Sequence, residues 1–157
     1  MIILGVDPGT ASLGWGIIKM QNNEPKLIAY GCFKTPKNID ASWRLKSLFR
    51  ELTKLIKKYK PKCLAMETLF FAKNIKTAVR VSQSQGVIML AGANLGILVQ
   101  EFTPLQVKQA VTGYGLAQKQ QVQKMVKNIL RLEKIPQPDD AADALAVAIC
   151  AGHSRRE

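Results

Sequence analysis

The sequence has few acidic residues, one histidine, few cysteines and few aromatics, and several of these shortages exclude a class of protein. Among 157 residues there are 11 Asp and Glu, a single His, three Cys and 6% aromatic residues. Cys32, Cys63 and Cys150 lie far apart, each inside an apolar stretch. This favours reduced core thiols over a disulfide framework or a zinc site. His153 lies in a short polar tail, so a catalytic site built on histidines is excluded.

Long apolar runs are also missing. No stretch reaches the length of a membrane span, and the N-terminus lacks a basic segment followed by an apolar one. We find no amphipathic helix with aromatics on its apolar face and no lipidation signal, which disfavours a basic membrane-surface protein. We therefore expect a cytoplasmic protein without a membrane partner. The length suits a single domain spanning residues 1–157, with a substantial core.

Basic residues are abundant. The 23 Lys and Arg against 11 acids give a formal charge of +12 and a sequence pI of 9.9. Residues 34–62 alone hold ten Lys and Arg against Asp40 and Glu51. Such a surplus favours a polyanionic partner such as nucleic acid. Most of those ten cations are expected on the solvated back of a helix, with phosphate contact as the alternative for any one of them.

The hydrophobic pattern predicts strands and helices that alternate along the chain. Strands are predicted at 1–7, 13–20, 26–34, 63–67 and 97–102, the first three antiparallel in sequence order. Helices are predicted at 41–59, at 74–95 as one helix or two, after Pro104, at about 119–131 and from 139. Small residues in 74–95 permit close approach of another backbone, within the fold or across a dimer. The prediction is an α/β fold with a mixed five-stranded sheet flanked by helices.

Four of the few acids occupy positions where they can converge. Asp7 and Glu67 each end a predicted central strand, and Asp140 and Asp143 are three residues apart at a helix start. Adjacent strands of an open α/β sheet deliver such residues to one crevice, and positions i and i+3 share a helix face. Ionised carboxylates in one pocket raise one another's pKa unless cations offset them. Mg²⁺ takes oxygen ligands, and two such ions about 4 Å apart form the clamp used in phosphodiester hydrolysis.

Each acid also has a structural interpretation. Asp7, followed by Pro8-Gly9-Thr10, could be a turn acid, and Glu67 could be exposed at a strand end. The acids near 140 could be helix N-terminal residues favoured by the dipole, which is the interpretation we prefer for Asp139.

Other residues near these positions could contact a nucleic acid. Phe70 and Phe71 follow Glu67, where an aromatic could stack on a base for about 1–3 kcal/mol, although at least one ring is expected to pack inward. Lys108 and Lys119 flank a glycine-containing loop at 113–118. Lys119, at a helix start, would add a cation to exposed N–H groups that suit a phosphate.

Several segments together resemble the RuvC family of bacterial Holliday junction resolvases over essentially the whole length. The similar segments are Ile3-Leu4-Gly5-Val6-Asp7-Pro8-Gly9-Thr10, Gly14-Trp15-Gly16, Glu67 with Phe70-Phe71-Ala72-Lys73-Asn74, Gln106-Val107-Lys108, Gly113-Tyr114-Gly115, Ala117-Gln118-Lys119 with Gln121-Val122, and Asp140-Ala141-Ala142-Asp143-Ala144-Leu145-Ala146. Their order and spacing make the resemblance specific.

The resemblance implies a ribonuclease-H-like fold, a homodimer, and Mg²⁺-dependent symmetric nicking of a four-way DNA junction in recombination and repair. It implies two Mg²⁺ ions, with Mn²⁺ as a possible substitute, bound by Asp7, Glu67, Asp140 and Asp143. By position, Phe70 is similar to the family's aromatic near the junction crossover, and Lys108 and Lys119 to its basic active-site residues. The segment 74–95 would be the dimer interface, and the branch-migration proteins RuvA and RuvB would be partners.

Three other hypotheses stay open at this level. The opening Asp7-Pro8-Gly9-Thr10 also resembles the phosphate-binding start of actin-like kinases and ATPases, although these need two such domains. A ribonuclease-H-like nuclease acting on RNA or hybrid is a second hypothesis. A non-catalytic basic nucleic-acid-binding protein is the third.

Overall fold

A single mixed sheet organises the chain in this computed structural model, which describes residues 1–9, 11–36, 38–68 and 74–154. The strands are β1 (Ile2–Pro8), β2 (Ser12–Gln21), β3 (Glu24–Lys34), β4 (Cys63–Glu67) and β5 (Leu98–Phe102). The helices are α1 (Ala41–Tyr59), α2 (Ile75–Asn94), α3 (Pro104–Thr112), α4 (Lys119–Ile129) and α5 (Asp139–His153). Within the described residues, the segment predicted as one helix or two is therefore a single helix.

The strand order is β3-β2-β1-β4-β5. β1, β2 and β3 pair antiparallel, whereas β4 is parallel to both β1 and β5. Asn22 and Asn23 form the β2–β3 connection with positive φ values of 50° and 64°, as a two-residue hairpin loop requires. The predicted mixed five-stranded α/β fold is confirmed.

Helices cover both faces of this sheet. Successive residues of β4 alternate between the faces: Cys63 and Ala65 pack with residues of α3, α4 and α5, whereas Leu64 and Met66 pack with α1 and α2. The cysteines are free thiols, Cys63 and Cys150 buried and Cys32 half-buried, as predicted. Among the described residues, none of the helices is both long enough and apolar enough to cross a membrane.

Glycines bring α5 directly onto β1 and β2. A Cβ added at Gly5 would overlap the backbone of Ala144, and one at Gly14 would overlap the carbonyl of Asp140. At Gly16 it would overlap the side chain of Leu145. Because the strands lack side chains at these points, the helix lies against the sheet backbone. The first turn of α5 is thereby set next to the end of β1.

Candidate active site

Two acids are delivered by adjacent parallel strands. Val6 pairs with Met66 in the β1–β4 register, so Asp7 and Glu67 follow at neighbouring strand ends, as predicted. The side-chain amide of Gln85 on α2 donates a hydrogen bond of 3.0 Å to the backbone oxygen of Glu67. This bond ties the end of β4 to the helix that packs beneath it.

The first turn of α5 supplies the other acids. Asp139 and Asp140 begin the helix, and Asp143 follows within the next turn. The backbone N–H groups at a helix start carry a partial positive charge, which favours carboxylates there. The predicted position of these acids at a helix N-terminus is confirmed.

A cleft of about 300 Å³ opens between the strand ends and the three C-terminal helices. Asp7, Glu67 and Asp143 line it together with Lys108 of α3 and Lys119 of α4. Pro104, Val107, Val122 and Ala146 complete its walls. Three of the four predicted acids and both predicted basic residues thus share one cleft.

The electrostatics of the cleft show an excess of negative charge. Burial, followed by the charges of Asp143, Asp140 and Glu67, raises the pKa of Asp7 from 3.8 to about 7, against a smaller lowering by Lys119. Burial and Asp143 also raise the pKa of Glu67, while Lys108 and Lys119 act to lower it. The negative charges of all three other predicted acids therefore act on Asp7, and a cation in the cleft would reduce the repulsion between them.

Lys119 is the counter-charge of Asp143. Its Nζ lies 2.9 Å from Oδ2 of Asp143 and 3.6 Å from Oδ2 of Asp139. Burial acts to lower the pKa of Lys119, but the hydrogen bond and charge of Asp143, together with those of Asp139, raise it overall. Burial raises the pKa of Asp143, and the hydrogen bond from Lys119 opposes that rise.

Asp140 is held differently from Asp143. Its Oδ2 accepts a short hydrogen bond from the Ser12 hydroxyl of β2 and a longer contact, 3.8 Å, from the Cys32 thiol of β3. Asp140 is not among the residues that line the cleft, although its charge reaches Asp7. The expectation that Asp140 and Asp143 share one helix face therefore needs qualification: one carboxylate is bonded to the sheet and the other to α4.

The carboxylates suit a hard divalent cation by their chemistry, since they are oxygen donors with an excess of negative charge. Among residues 1–9, 11–36, 38–68 and 74–154, no three Asp, Glu, His or Cys side chains are arranged so that they could hold one metal ion. Asp143 is instead paired with Lys119, and Asp140 accepts a hydrogen bond from Ser12.

Sequence reasoning missed several residues of the site. Ser12, Cys32 and Gln85 contact the acids only through tertiary structure, and no sequence signal marked them. Asp139 did carry a signal, because it lies four residues before Asp143 and therefore on the same side of the helix. Phe70, predicted to contact DNA, lies outside the described residues, as does Phe71.

Comparison with known proteins gives one consistent family. The model of the family described as "Crossover junction endodeoxyribonuclease RuvC" matches residues 3–151. The RuvC of Desulforamulus reducens is 57% identical over 150 residues, covering 96% of this chain and 92% of the relative. The RuvC of Heliobacterium modesticaldum is 53% identical over 154 residues, covering 98% and 95%.

Solved structures agree with this result. A Thermus thermophilus RuvC structure matches with a TM-score of 0.91 and 31% identity, covering 99% of this chain and 96% of that one. A structure of T. thermophilus RuvC in complex with a Holliday junction substrate matches with a TM-score of 0.90 and 29% identity over the same shares. The yeast mitochondrial Holliday junction resolvase Ydc2, with a TM-score of 0.71 and 12% identity, covering 96% of this chain and 77% of that one, shares the fold.

Proposed function

The chain belongs to the RuvC family of crossover junction endodeoxyribonucleases, and we propose that Asp7, Glu67, Asp140 and Asp143 are the acids with which it nicks four-way DNA junctions. It is a Holliday junction resolvase, a hydrolase that acts on DNA in recombination and repair. The observation that carries the site assignment is the convergence of Asp7, Glu67 and Asp143 in one cleft with Lys108 and Lys119; the raised pKa of Asp7, to which each of the other three acids contributes, agrees with it. Such mutual repulsion is typical of carboxylates that share cations.

RuvC nucleases are metal-dependent, and the metal proposed here is Mg²⁺, bound as two ions, with Mn²⁺ as a substitute. Asp7, Glu67 and Asp143 would hold the ions from the cleft, and Asp140 from the start of α5, where it is bonded to Ser12 of β2. When bound, the ions would activate the attacking water and stabilise the leaving 3′ oxygen of the DNA strand.

The chain's own residues prepare this chemistry. Gln85 fixes the strand end that carries Glu67, and Ser12 and Cys32 fix the carboxylate of Asp140. Lys108 and Lys119 place two ammonium groups in the same cleft, where they would contact the phosphate that is cleaved. The family resemblance is the basis for the predicted role of Phe70 at the junction crossover.

Junction DNA is the proposed substrate of this particular cleft because the protein combines a small acidic site with a strongly basic remainder. Bound metal ions would neutralise the acids locally, whereas the formal charge of +12 attracts the phosphate backbone over a larger area. The T. thermophilus RuvC complex with a Holliday junction, a close structural match, supports the same substrate.

A homodimer is proposed through the outer side of α2. Ile75, Val79 and Leu90 on this helix are 80%, 50% and 53% exposed. Gly86 lies between them, and a Cβ there would meet no atom within 4 Å. An exposed apolar strip along one helix suits contact with a second copy, which would place two clefts on one junction. On the basis of the family resemblance, RuvA and RuvB remain predicted partners, and the cytoplasm remains the predicted location.

Strand cleavage of a mobile four-way junction, compared with linear duplex and with RNA–DNA hybrid, tests this function. Paired symmetric nicks on the junction alone, dependent on Mg²⁺ and lost in Asp7→Asn, are expected. Junction binding with no nicks would instead favour a non-catalytic binding protein, and cleavage restricted to the hybrid would favour a nuclease acting on RNA.

A further inference from the structure

Asp139 lies beside the proposed site but has no part in the four-acid assignment. It begins α5 and is four residues from Asp143, so the two carboxylates lie along one side of the helix. Lys119 of α4 contacts both, with Nζ 2.9 Å from Asp143 and 3.6 Å from Asp139. One ammonium thus has two carboxylates within reach, one inside the cleft and one at its outer margin.

The two carboxylates differ in exposure. The side chain of Asp143 is 28% exposed and lines the cleft, whereas that of Asp139 is 54% exposed and is not among its lining residues. Asp143 can therefore bind a cation inside the cleft, whereas Asp139 can bind a charged group at the edge of the cleft.

The backbone of Lys119 is held at the start of α4, whereas its side chain is 52% exposed. Lys119 is the first residue of α4, and Gln118 and Gln121 form a reciprocal capping box around that helix start. The flexible four-carbon stem of a lysine allows the ammonium to exchange partners without movement of the helix.

A divalent cation on Asp143 would repel the Lys119 ammonium and compete with it for the carboxylate, which weakens the ion pair between Lys119 and Asp143. We propose that Asp139 is a positioning residue that receives the Lys119 ammonium when Asp143 binds a divalent cation. The inference rests on the proposed function. Lys119 then stays at the mouth of the cleft, next to the incoming phosphodiester, instead of moving into bulk water.

A double-mutant cycle on metal binding tests this role. Mn²⁺ is titrated into DNA-free protein, and the free ion is measured by electron paramagnetic resonance. The proteins are wild type, Asp139→Asn, Lys119→Met and the double variant. Asp139→Asn is expected to weaken Mn²⁺ binding about two- to five-fold, the range of an exposed ion pair. In the Lys119→Met background the same change is expected to have less than half of that effect, because no ammonium needs to be received. Asp139→Glu is expected to restore the wild-type affinity.

An equal weakening by Asp139→Asn in both backgrounds would overturn the inference, because the carboxylate would then act on the metal directly by its charge. No weakening in the wild-type background would overturn it as well. Glu51→Gln removes an acid from the exposed pair with Lys54 on α1 and is the matched control, expected to leave Mn²⁺ binding unchanged.

Asp7→Asn separates this inference from the proposed site. Loss of Mn²⁺ binding in Asp7→Asn, together with equal effects of Asp139→Asn in both backgrounds, would remove only the role of Asp139. Unchanged Mn²⁺ binding in Asp7→Asn would overturn the four-acid site and the role of Asp139 with it.

Discussion

The ammonium of Lys119 lies 2.9 Å from Oδ2 of Asp143, so a basic residue of α4 forms an ion pair with an acid of α5 across the cleft. Both side chains also face Asp7 and Glu67, whose pKa values are raised by burial and by neighbouring acids. Lys108 and Lys119 both act to lower the pKa of Glu67, so two lysines offset part of the negative charge of the site. Lys119 contacts both Asp139 and Asp143, so it joins two acids at the start of α5 to the site at the strand ends.

Removal of any one of the four acids is expected to abolish nicking without loss of junction binding. Asp7→Asn, Glu67→Gln, Asp140→Asn and Asp143→Asn should each lower the nicking rate at least about 100-fold, because each removes a proposed metal ligand. Affinity for the junction should hold or rise, since each change removes a negative charge that faces phosphate. Nicking assays and gel-shift titrations of the same junction measure the two effects.

Glu24→Gln is the control for these four variants, because it removes an exposed acid from a surface pair with Arg131. It should nick as the wild type does. Retained nicking in any two of the four acid variants would contradict the four-acid site.

The metal-free protein is expected to lose stability as the pH rises from about 4 to 8, and Asp7 accounts for part of the loss. The folded protein keeps the Asp7 proton up to a pKa of about 7, whereas the unfolded chain releases it near 3.8. Between these values the native state binds more protons, so its free energy of unfolding falls with rising pH. At pH 8 this cost approaches ~4 kcal/mol.

Asp7→Asn should therefore raise the Tm of metal-free protein by about 5 °C or more at pH 8, and much less at pH 4. Thermal unfolding followed by circular dichroism measures both values. Asp40→Asn, at the exposed start of α1, is the control and should show no such pH-dependent gain. An equal gain for Asp7→Asn at both pH values would show that burial and repulsion do not act on Asp7 as described.

Ser12→Ala is expected to weaken metal binding and nicking by about 10- to 100-fold, the usual effect of losing a hydrogen bond that orients a metal ligand. The Ser12 hydroxyl donates to Oδ2 of Asp140, and without it only the long Cys32 contact remains of the two described donors. Mn²⁺ titration and the nicking rate measure the effect. Ser47→Ala, which removes a hydroxyl bonded only locally to the Trp43 carbonyl, should be neutral. Identical behaviour of the two variants would mean that Ser12 does not orient Asp140.

Gly14→Ala is expected to displace the start of α5 from the sheet. The new methyl group would overlap the Asp140 carbonyl, so the helix must move or the strand must bend. Overpacking of this kind costs about 1–3 kcal/mol, and it would also shift Asp140 away from the strand ends. Urea denaturation measures the loss of stability, and Mn²⁺ titration measures the change at the site.

Gly86→Ala provides the comparison for Gly14→Ala when both are measured in the Leu90→Glu background, which is expected to remove the proposed dimer contact at Gly86; within one chain the new methyl group meets no atom within 4 Å. At the same protein concentration it should change the free energy of unfolding by less than ~1 kcal/mol. Equal stability of Gly14→Ala and the wild type would disprove the close approach of α5 to β2.

Leu90→Glu is expected to separate the proposed dimer, because it places a charge in the exposed apolar strip of α2. Size-exclusion chromatography with light scattering should give the monomer mass for this variant and twice that mass for the wild type. Leu116→Glu alters a leucine that is 70% exposed but lies outside α2, and it should leave the dimer intact. A dimer that survives Leu90→Glu and dissociates in Leu116→Glu would move the interface to the α3–α4 loop.

The sequence by itself determined the fold class and the acids at the ends of strands. Alternation and helical periodicity are local patterns, so β1 to β5 and α1 to α5 follow from the order of apolar residues, and Asp7 and Glu67 follow from where two apolar runs stop. Because the chain has only 11 Asp and Glu, the acids at strand ends and at a helix start stand out as candidate site residues. The order and spacing of the similar segments are sufficient to indicate the family.

Tertiary structure alone decided how each acid is held. Ser12 and Asp140 are 128 residues apart in sequence, and Gln85 and Glu67 belong to elements that meet only in the folded sheet. Asp140 and Asp143, three residues apart, share a helix start but face different neighbours, because Gly14 seats α5 against β2 while Lys119 approaches from α4. Hydrogen bonds and charges act over a few ångströms of space, whereas a sequence pattern records only separation along the chain.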